Sequence, residues 1–426
     1  MKKNSLLFSL ISLLVLTGCP FNSGNASNSS SNSNSANVMT SLVYGDETDL
    51  IITEYVEGTK RDKAIEVYNF TDKEVDLSKY SINQYRDSEV PTVVVKLEGK
   101  LAPGKTYVVA SENSSEDVLS KADKTDANLS FSGKNAIALA NDGKVVDVIG
   151  YIGYALDYAK DITLVRKVDQ MNPRQKYDEY DWIRYAPDNF KYLGNAENSC
   201  TPEELLAGPT LESEYTDNQK YSFVSTSNAS FGGGLAVKVS IKNNIDGDTT
   251  DLYIEDSLIK PSTFMDNRSY YGTSNGKTWL RVRYQSVDTP ESYPGNIQEF
   301  GKMAAFYTAY LQNKADVMYL QSIMDDSLLC NYGRFMGYVW AGRDTLVNFE
   351  SIKNGYSTVS FNYHYGLTSR DIPYESYMYN ASLYAKRNKL GLYGGKDPYW
   401  NYETNKSYCE TTTCGNYFEN GGSITA

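Results

Sequence analysis

One histidine occurs in 426 residues. His364 stands alone, so a multi-histidine metal site or a histidine acid–base pair has nothing to work with. Cysteine numbers five, with no CxxC and no cysteine–histidine spacing that would suggest zinc. Basic charge is short: 41 Lys and Arg face 53 Asp and Glu, a formal charge of −12. Nucleic-acid binding by bulk attraction is therefore not expected. Residues 236–400 depart from this, with 17 charges of each sign. The acidic excess lies outside them, and a polyanion there would be held by a few placed arginines. Long hydrophobic runs are missing except for Leu6 to Leu16, which is too short to span a bilayer comfortably. What abounds is tyrosine, 37 of them within a hydrophobic content of 41%. That argues for folded, β-rich material, and the length suffices for two modest cores.

Lys2 and Lys3 ahead of Leu6–Leu16 read as an export signal. The run ends in Leu16-Thr17-Gly18-Cys19, which resembles the bacterial lipobox. The resemblance implies a signal peptide over 1–18 and lipidation of Cys19. It also implies a chain anchored through lipid to the cell membrane, on the extracellular face. Residues 19–47, rich in Asn, Ser and Ala from Pro20 to Asn37, cannot bury enough apolar surface to fold and read as a disordered tether. Cys200, Cys330, Cys409 and Cys414 permit three pairings. Cys409 and Cys414 are near enough to close a small loop, leaving Cys200 with Cys330; isolated thiols are the alternative.

Residues 48–197 alternate in short runs broken by turns. Leu50–Val56, Ala64–Asn69, Thr92–Leu97 and Tyr107–Ala110 read as strands, and Ala136–Leu139 with Val145–Ile149 as a hairpin around Asn141-Asp142-Gly143. Many short strands at this spacing suggest an all-β sandwich. The stretches IITEYVEG, KAIEVYNFTDKEVDLSKYSI, LAPGKTYVVA, ITLVRK and DWIRYAPDNFKYLG resemble the lamin-tail domain, an immunoglobulin-like β-sandwich. That likeness is structural and implies binding or spacing rather than chemistry.

Residues 198–234 read as a linker ending in Gly232-Gly233-Gly234. From 235 to 395 the texture changes. Leu235–Ile241, Leu252–Ile254, Trp279–Tyr284, Val317–Leu320 and Gly337–Trp340 read as strands. Ile297–Asn313 has helical spacing, with Phe300, Ala304, Tyr307 and Leu311 on one face. Asp344 is the expected N-cap of a helix over Thr345–Asn354, and Tyr374–Lys389 is a third helix with basic residues in its last turn. Five strands and three helices in this order fit an OB-type barrel. The fold class expected is thus mainly β with some α, a sandwich followed by a barrel. Residues 396–426, Asn- and Thr-rich, form a tail without a pattern.

Asp246-Gly247-Asp248-Thr249, Arg283-x4-Asp288-Thr289-Pro290-Glu291 and Tyr332-Gly333-Arg334 follow one another in the second half. Phosphodiester hydrolysis needs an activated water, positive charge on the phosphoryl oxygens and in-line orientation. Carboxylates suit Ca2+ or Mg2+, and an arginine fork matches phosphate oxygens in pairs. Glu291, three residues past Asp288, is placed to address a water without having to ligate a metal.

Together with the helix EFGKMAAFYTAYL and the stretches NYGRFMGYVW, LVNFESIKNGYSTV and KRNKLGLYGG, these motifs resemble the thermonuclease, or staphylococcal-nuclease-like (SNase), family. The resemblance implies Ca2+ held by Asp248, Asp288 and the carbonyl of Thr289, with Asp246 in the outer shell. It implies Glu291 as general base, Arg283 and Arg334 on the phosphate, Tyr332 against the nucleotide, and Phe361 with Tyr363 as ring faces for a base. The expected activity is a membrane-anchored extracellular endonuclease acting on DNA and/or RNA to leave 3′-phosphates. The rival expectation is a non-catalytic surface binding protein that keeps the barrel as scaffold. The chain departs from the family in an insertion near Pro261–Lys277, expected as a long hairpin loop. It also has Asn331 where a lysine is common, and lacks lysines after Glu291. Affinity should therefore be lower and less salt-dependent than in a basic relative.

Overall fold

The computed structural model describes residues 42–59, 61–195, 205–217, 235–256, 270–322, 334–360, 374–410 and 414–422. The signal segment with Cys19, Cys200, Cys330, Tyr332, Phe361, Tyr363 and His364 lie outside the described residues. Among the described residues no helix is long and apolar enough to cross a membrane.

Two sheets face each other in the N-terminal half. The first runs in the order β10-β9-β1-β2-β5-β6, formed by β1 (Leu50–Glu57), β2 (Lys63–Asn69), β5 (Thr106–Ser111), β6 (Lys124–Asp126), β9 (Thr163–Arg166) and β10 (Trp182–Tyr185). The second runs β8-β7-β3-β4, from β3 (Tyr80–Tyr85), β4 (Val93–Lys96), β7 (Ala136–Asn141) and β8 (Lys144–Ile149). The β-branched and aromatic residues of Leu50–Val56 suit a pleated surface, and every residue of β1 is buried. Leu50, Ile52, Tyr55, Ile65 and Val67 of one sheet meet Ile82, Val95, Ile137 and Leu139 of the other, each worth about 1.5–3 kcal/mol of burial. The β7–β8 hairpin turns at Asp142 and Gly143, both at positive φ, as the Asn-Asp-Gly run predicts.

A closed five-stranded barrel forms the second half. Its strands are β11 (Ala236–Asn244), β12 (Thr249–Ile254), β14 (Lys277–Tyr284), β15 (Met318–Ser322) and β16 (Phe335–Ala341). They run β12-β11-β15-β16-β14, and β12 pairs back onto β14 to close the ring. Leu252, Leu280, Val282, Leu320, Phe335, Tyr338 and Trp340 fill it. A further strand, β13 (Tyr271–Ser274), turns through Asn275-Gly276 onto β14. The C-terminal end of the insertion is thus a short, tight hairpin, while 261–269 lie outside the described residues.

Three helices accompany the barrel: α1 (Gly301–Lys314), α2 (Val347–Lys353) and α3 (Glu375–Arg387). Two starts differ from expectation. The α1 helix begins at Gly301 rather than Ile297, because Gln298 turns back to hydrogen-bond Glu291. The α2 cap is Leu346 and not Asp344. Ala341 N donates to Thr345 O at 2.9 Å and Trp340 bridges Leu346, so Asp344 and Thr345 belong to a turn ahead of the helix.

Two segments without a clear pattern are packed. Leu211 enters the barrel core and Leu205 joins Val165, Ile183 and Tyr377. Beyond Lys396, Trp400–Asn401 pairs with Lys406–Ser407, Cys409 and Cys414 form a disulfide, and Phe418 packs on Tyr307 and Tyr356. The α3 helix also meets β10: Asn380 donates to Arg184 O at 2.9 Å and accepts from Arg184 N at 3.2 Å. The Arg184 guanidinium lies 4.4 Å from the Tyr379 ring centre and 3.5 Å from Glu375.

Candidate active site

The turn between β11 and β12 carries Asp246-Gly247-Asp248. Ile245 and Asp246 both donate to Thr249 O, at 3.1 and 3.2 Å, and Asp248 N donates to Asp246 Oδ1 at 3.1 Å. Gly247 is required by close approach. A Cβ there would lie 2.7 Å from Ala304 Cβ and 2.9 Å from Thr289 Oγ1, whereas glycine lets the backbone press against both. Its carbonyl accepts from Thr308 Oγ1 of α1 at 2.8 Å.

Across the β12–β14 ladder, Thr249 faces Arg283. Tyr284 N donates to Asp248 O at 2.8 Å, which ties the end of β14 to the aspartate turn. The chain then bends at Ser286, with φ of 63°, and Asp288 pairs with Thr358 in a two-residue ladder. These constraints bring residues 40 apart in sequence onto one focus.

At that focus the Arg283 fork joins two carboxylates. One terminal nitrogen pairs with Asp248 Oδ2 and the other with Asp288 Oδ1 at 2.7 Å. Asp248 is buried and receives Thr289 N and Thr289 Oγ1 on Oδ2, both at 2.9 Å, and Thr249 Oγ1 on Oδ1 at 3.0 Å. The Asp288 side chain is 60% exposed, so one wall of the site is open to solvent. Burial pushes the Asp246 carboxyl above its ordinary value, against the pull of Arg283 and Arg334. Burial also lowers Arg283; Asp288 opposes that shift and the repulsion of Arg334 adds to it. Two guanidinium groups and three carboxylates therefore act on one another in a half-buried mouth.

The structure thus brings together Asp246, Asp248, Arg283, Asp288, Thr289 and Arg334. Glu291 sits on the next turn, held through its backbone: its N–H donates to Gln298 Oε1 at 3.0 Å, and its carbonyl accepts from Gln298 N at 2.9 Å. Arg283, expected on phosphate, here bridges the two carboxylates expected on metal. Sequence reasoning gave Thr249 no role of its own and did not single out Gln298, yet these hold Asp248 and Glu291. It also passed over Asp397, whose carboxylate reaches Phe300 N at the start of α1; no local signal marks it.

Among the described residues no group of three His, Cys, Asp or Glu side chains gathers into a cage. The donor set is instead two carboxylates beside the Thr289 backbone. That one guanidinium cation spans both Asp248 and Asp288 shows them converging on a single positive charge. Hard oxygen donors in such a half-open arrangement fit Ca2+ or Mg2+ and do not fit a soft metal.

Comparison with known families agrees with both halves. Residues 45–153 match the Lamin Tail Domain family. Residues 281–394, which include Arg283, Asp288, Thr289, Glu291 and Arg334, match the family described as Staphylococcal nuclease homologue. Asp246 and Asp248 lie upstream of that match and join it in space. No curated protein matches the chain. The protein therefore carries a lamin-tail domain followed by a staphylococcal-nuclease-like domain, and at the family level that second match points to a nuclease.

Proposed function

We propose that the protein is a calcium-dependent nuclease, held by a lipid on Cys19 at the extracellular face of the cell membrane, that cleaves DNA and/or RNA to 3′-phosphates. The observation that carries the reading is the Arg283 fork on Asp248 and Asp288, with Arg334 and Asp246 beside it, at the mouth of a closed barrel. A site built to neutralise clustered opposite charges suits a phosphodiester. The Cys409–Cys414 disulfide supports an oxidising compartment.

Asp248, Asp288 and the Thr289 carbonyl would hold Ca2+, with Asp246 in the outer shell. When bound, the ion supplies positive charge for the phosphoryl oxygens and the attacking water. Arg283 would exchange its carboxylate partners for phosphate oxygens, and Arg334 would hold a second oxygen of the same group. Both stabilise the charge that builds up as phosphorus becomes five-coordinate. Glu291 would take a proton from water as the water oxygen attacks phosphorus. The 5′-oxygen then departs and takes up a proton, leaving a 3′-phosphate and a 5′-hydroxyl. Tyr332 would contact the nucleotide, and Phe361 with Tyr363 would supply ring faces to the base.

The test uses the full chain with single-stranded DNA and with RNA, in Ca2+ and then in excess chelator. Cleavage with Ca2+, arrest by chelator and 3′-phosphate ends are expected. Glu291→Ser should lower turnover by about 10²- to 10⁴-fold while leaving nucleotide binding in place. DNA retained intact in the presence of Ca2+ would instead favour the non-catalytic surface-binding reading.

A further inference from the structure

Phe300, the residue before α1, has φ of 64°. That left-handed backbone is strained for a bulky residue. No side chain of its own caps the helix. Its N–H is bound instead by Asp397 Oδ2 from the C-terminal segment, 2.6 Å away and buried. A carboxylate there also suits the positive end of the helix dipole. Asp397 is 3% exposed, and its other oxygen accepts from Tyr399 N at 2.8 Å. Asp397 N donates to Tyr402 Oη at 2.8 Å, and that hydroxyl donates to Glu299 Oε1 at 2.7 Å. The segment therefore grips Glu299 and Phe300 together.

Residues 298–301 are coupled in turn to Glu291. Gln298 holds both the N–H and the carbonyl of Glu291. Gly301 lies so near that a Cβ on it would collide with the Glu291 carbonyl oxygen. A shift of this corner passes directly to the Glu291 backbone, and displacement by about 1 Å can cost a reaction about 10²-fold.

We infer that Asp397 is a positioning residue: the C-terminal segment fixes the 291–301 loop through Phe300, and so aims the Glu291 carboxylate. Cys409–Cys414 closes a loop in the same segment, and Tyr417 and Phe418 pack it onto α1. This rests on the role proposed above for Glu291, and goes beyond it by making a segment outside the barrel part of the site.

The experiment compares Asp397→Ala and Asp397→Asn in the full chain, each also on a Glu291→Ser background. On the native background, Asp397→Ala should lower kcat by about 10- to 100-fold with binding of thymidine 3′,5′-bisphosphate unchanged, and Asp397→Asn by less. On the Glu291→Ser background neither should lower kcat further, because the residue acts through a carboxylate no longer there. Amide exchange across 291–301 should quicken in both variants. Equal losses on the two backgrounds, or exchange unchanged across 291–301, overturn the inference. If the parent chain cleaves nothing, the nuclease reading fails, and the exchange measurement still decides whether Asp397 holds the loop. If Asp397→Ala does not fold, Tyr402→Phe, which cuts the tie to Glu299 and keeps the Asp397 carboxylate, is judged by the same readouts.

Discussion

Arg166 with Asp147 in the sandwich and Arg283 with Asp248 in the barrel are the same chemical pair in two settings. In the sandwich both side chains are almost wholly buried, and the second carboxylate near Arg166, that of Asp181 at 4.0 Å, is buried too and has its own partner in Arg174. Arg166 gives Nη2 to Asp147 Oδ2 at 2.7 Å, Nε to Ile52 O at 2.6 Å and Nη1 to Asn172 O at 3.2 Å, and its plane lies 4.5 Å from the Trp182 ring centre. Asp147 receives Ile52 N and Arg174 N besides. In the barrel one guanidinium is shared between two carboxylates, a second arginine crowds it, and the outer carboxylate stands in solvent. A charge pair that completes a core engages every guanidinium nitrogen and is closed to solvent. A charge pair that serves a site is over-supplied with charge and keeps one side open to exchange partners. On the function proposed above, the difference separates an ion pair that serves the fold from one poised to take a ligand.

The contrast has consequences that can break it. The largest concerns Arg166→Ala, which leaves Asp147 charged and unpaired in the sandwich. It should cost about 3–5 kcal/mol of unfolding free energy, read from denaturant midpoints, while turnover per folded molecule is retained. A loss of turnover at full stability would mean that the sandwich pair is more than structural.

The next effect is a pH dependence of the sandwich. Glu66 lies opposite Glu54 on β1 and is buried, which pushes its carboxyl up to about 7, against hydrogen bonds from Thr53 and Gly194. Between the ordinary glutamate value near 4.5 and about 7, the native state keeps a proton that the unfolded chain has released. Its stability contribution is complete below that window and is lost as pH rises through it, by about 3 kcal/mol at most. Burial raises Glu54 as well, with the same sign. Chemical unfolding at pH 4.5, 6 and 8 should show this decline, and Glu66→Gln should flatten it. The smallest stability effect is expected at the exposed outer carboxylate. Asp288→Ala should change unfolding free energy by less than about 1 kcal/mol, yet abolish Ca2+-dependent cleavage. An unfolding cost as large as that of Arg166→Ala would remove the distinction between the two pairs.

How much of this was legible in the sequence depends on how local each feature is. The aspartate turn, the Arg283–Glu291 run and Arg334 are short motifs, and their residue types state their chemistry before any fold is known. Most strands of both halves follow from alternation and turn residues, and the β7–β8 hairpin from three letters, whereas β6 and β13 are not among those expected and β9 and β10 lie in stretches read only by resemblance. Asp344 misled because it has the right chemistry for a helix cap, but hydrogen bonding between Ala341 and Thr345 delays α2 until Leu346. The C-terminal segment was opaque for a different reason. Tyr399, Tyr417 and Phe418 follow no helical or strand period, and the partner of Asp397 lies 97 residues earlier. A contact of that reach leaves no periodic trace in the letters around it. The sharing of Arg283 between two aspartates likewise depends on the closure of β12 onto β14, a property of topology alone.

The Asn380 amide against Arg184 carries one more implication. Trp182–Tyr185 is the outermost strand of its sheet, and the rim of a sheet offers ready-made pairing sites to any stray extended chain. Here a helix side chain from the other half of the protein occupies that rim. Cutting the polypeptide to isolate the sandwich would bare the strand and invite self-association, so solubility, as much as geometry, binds the sandwich to the barrel.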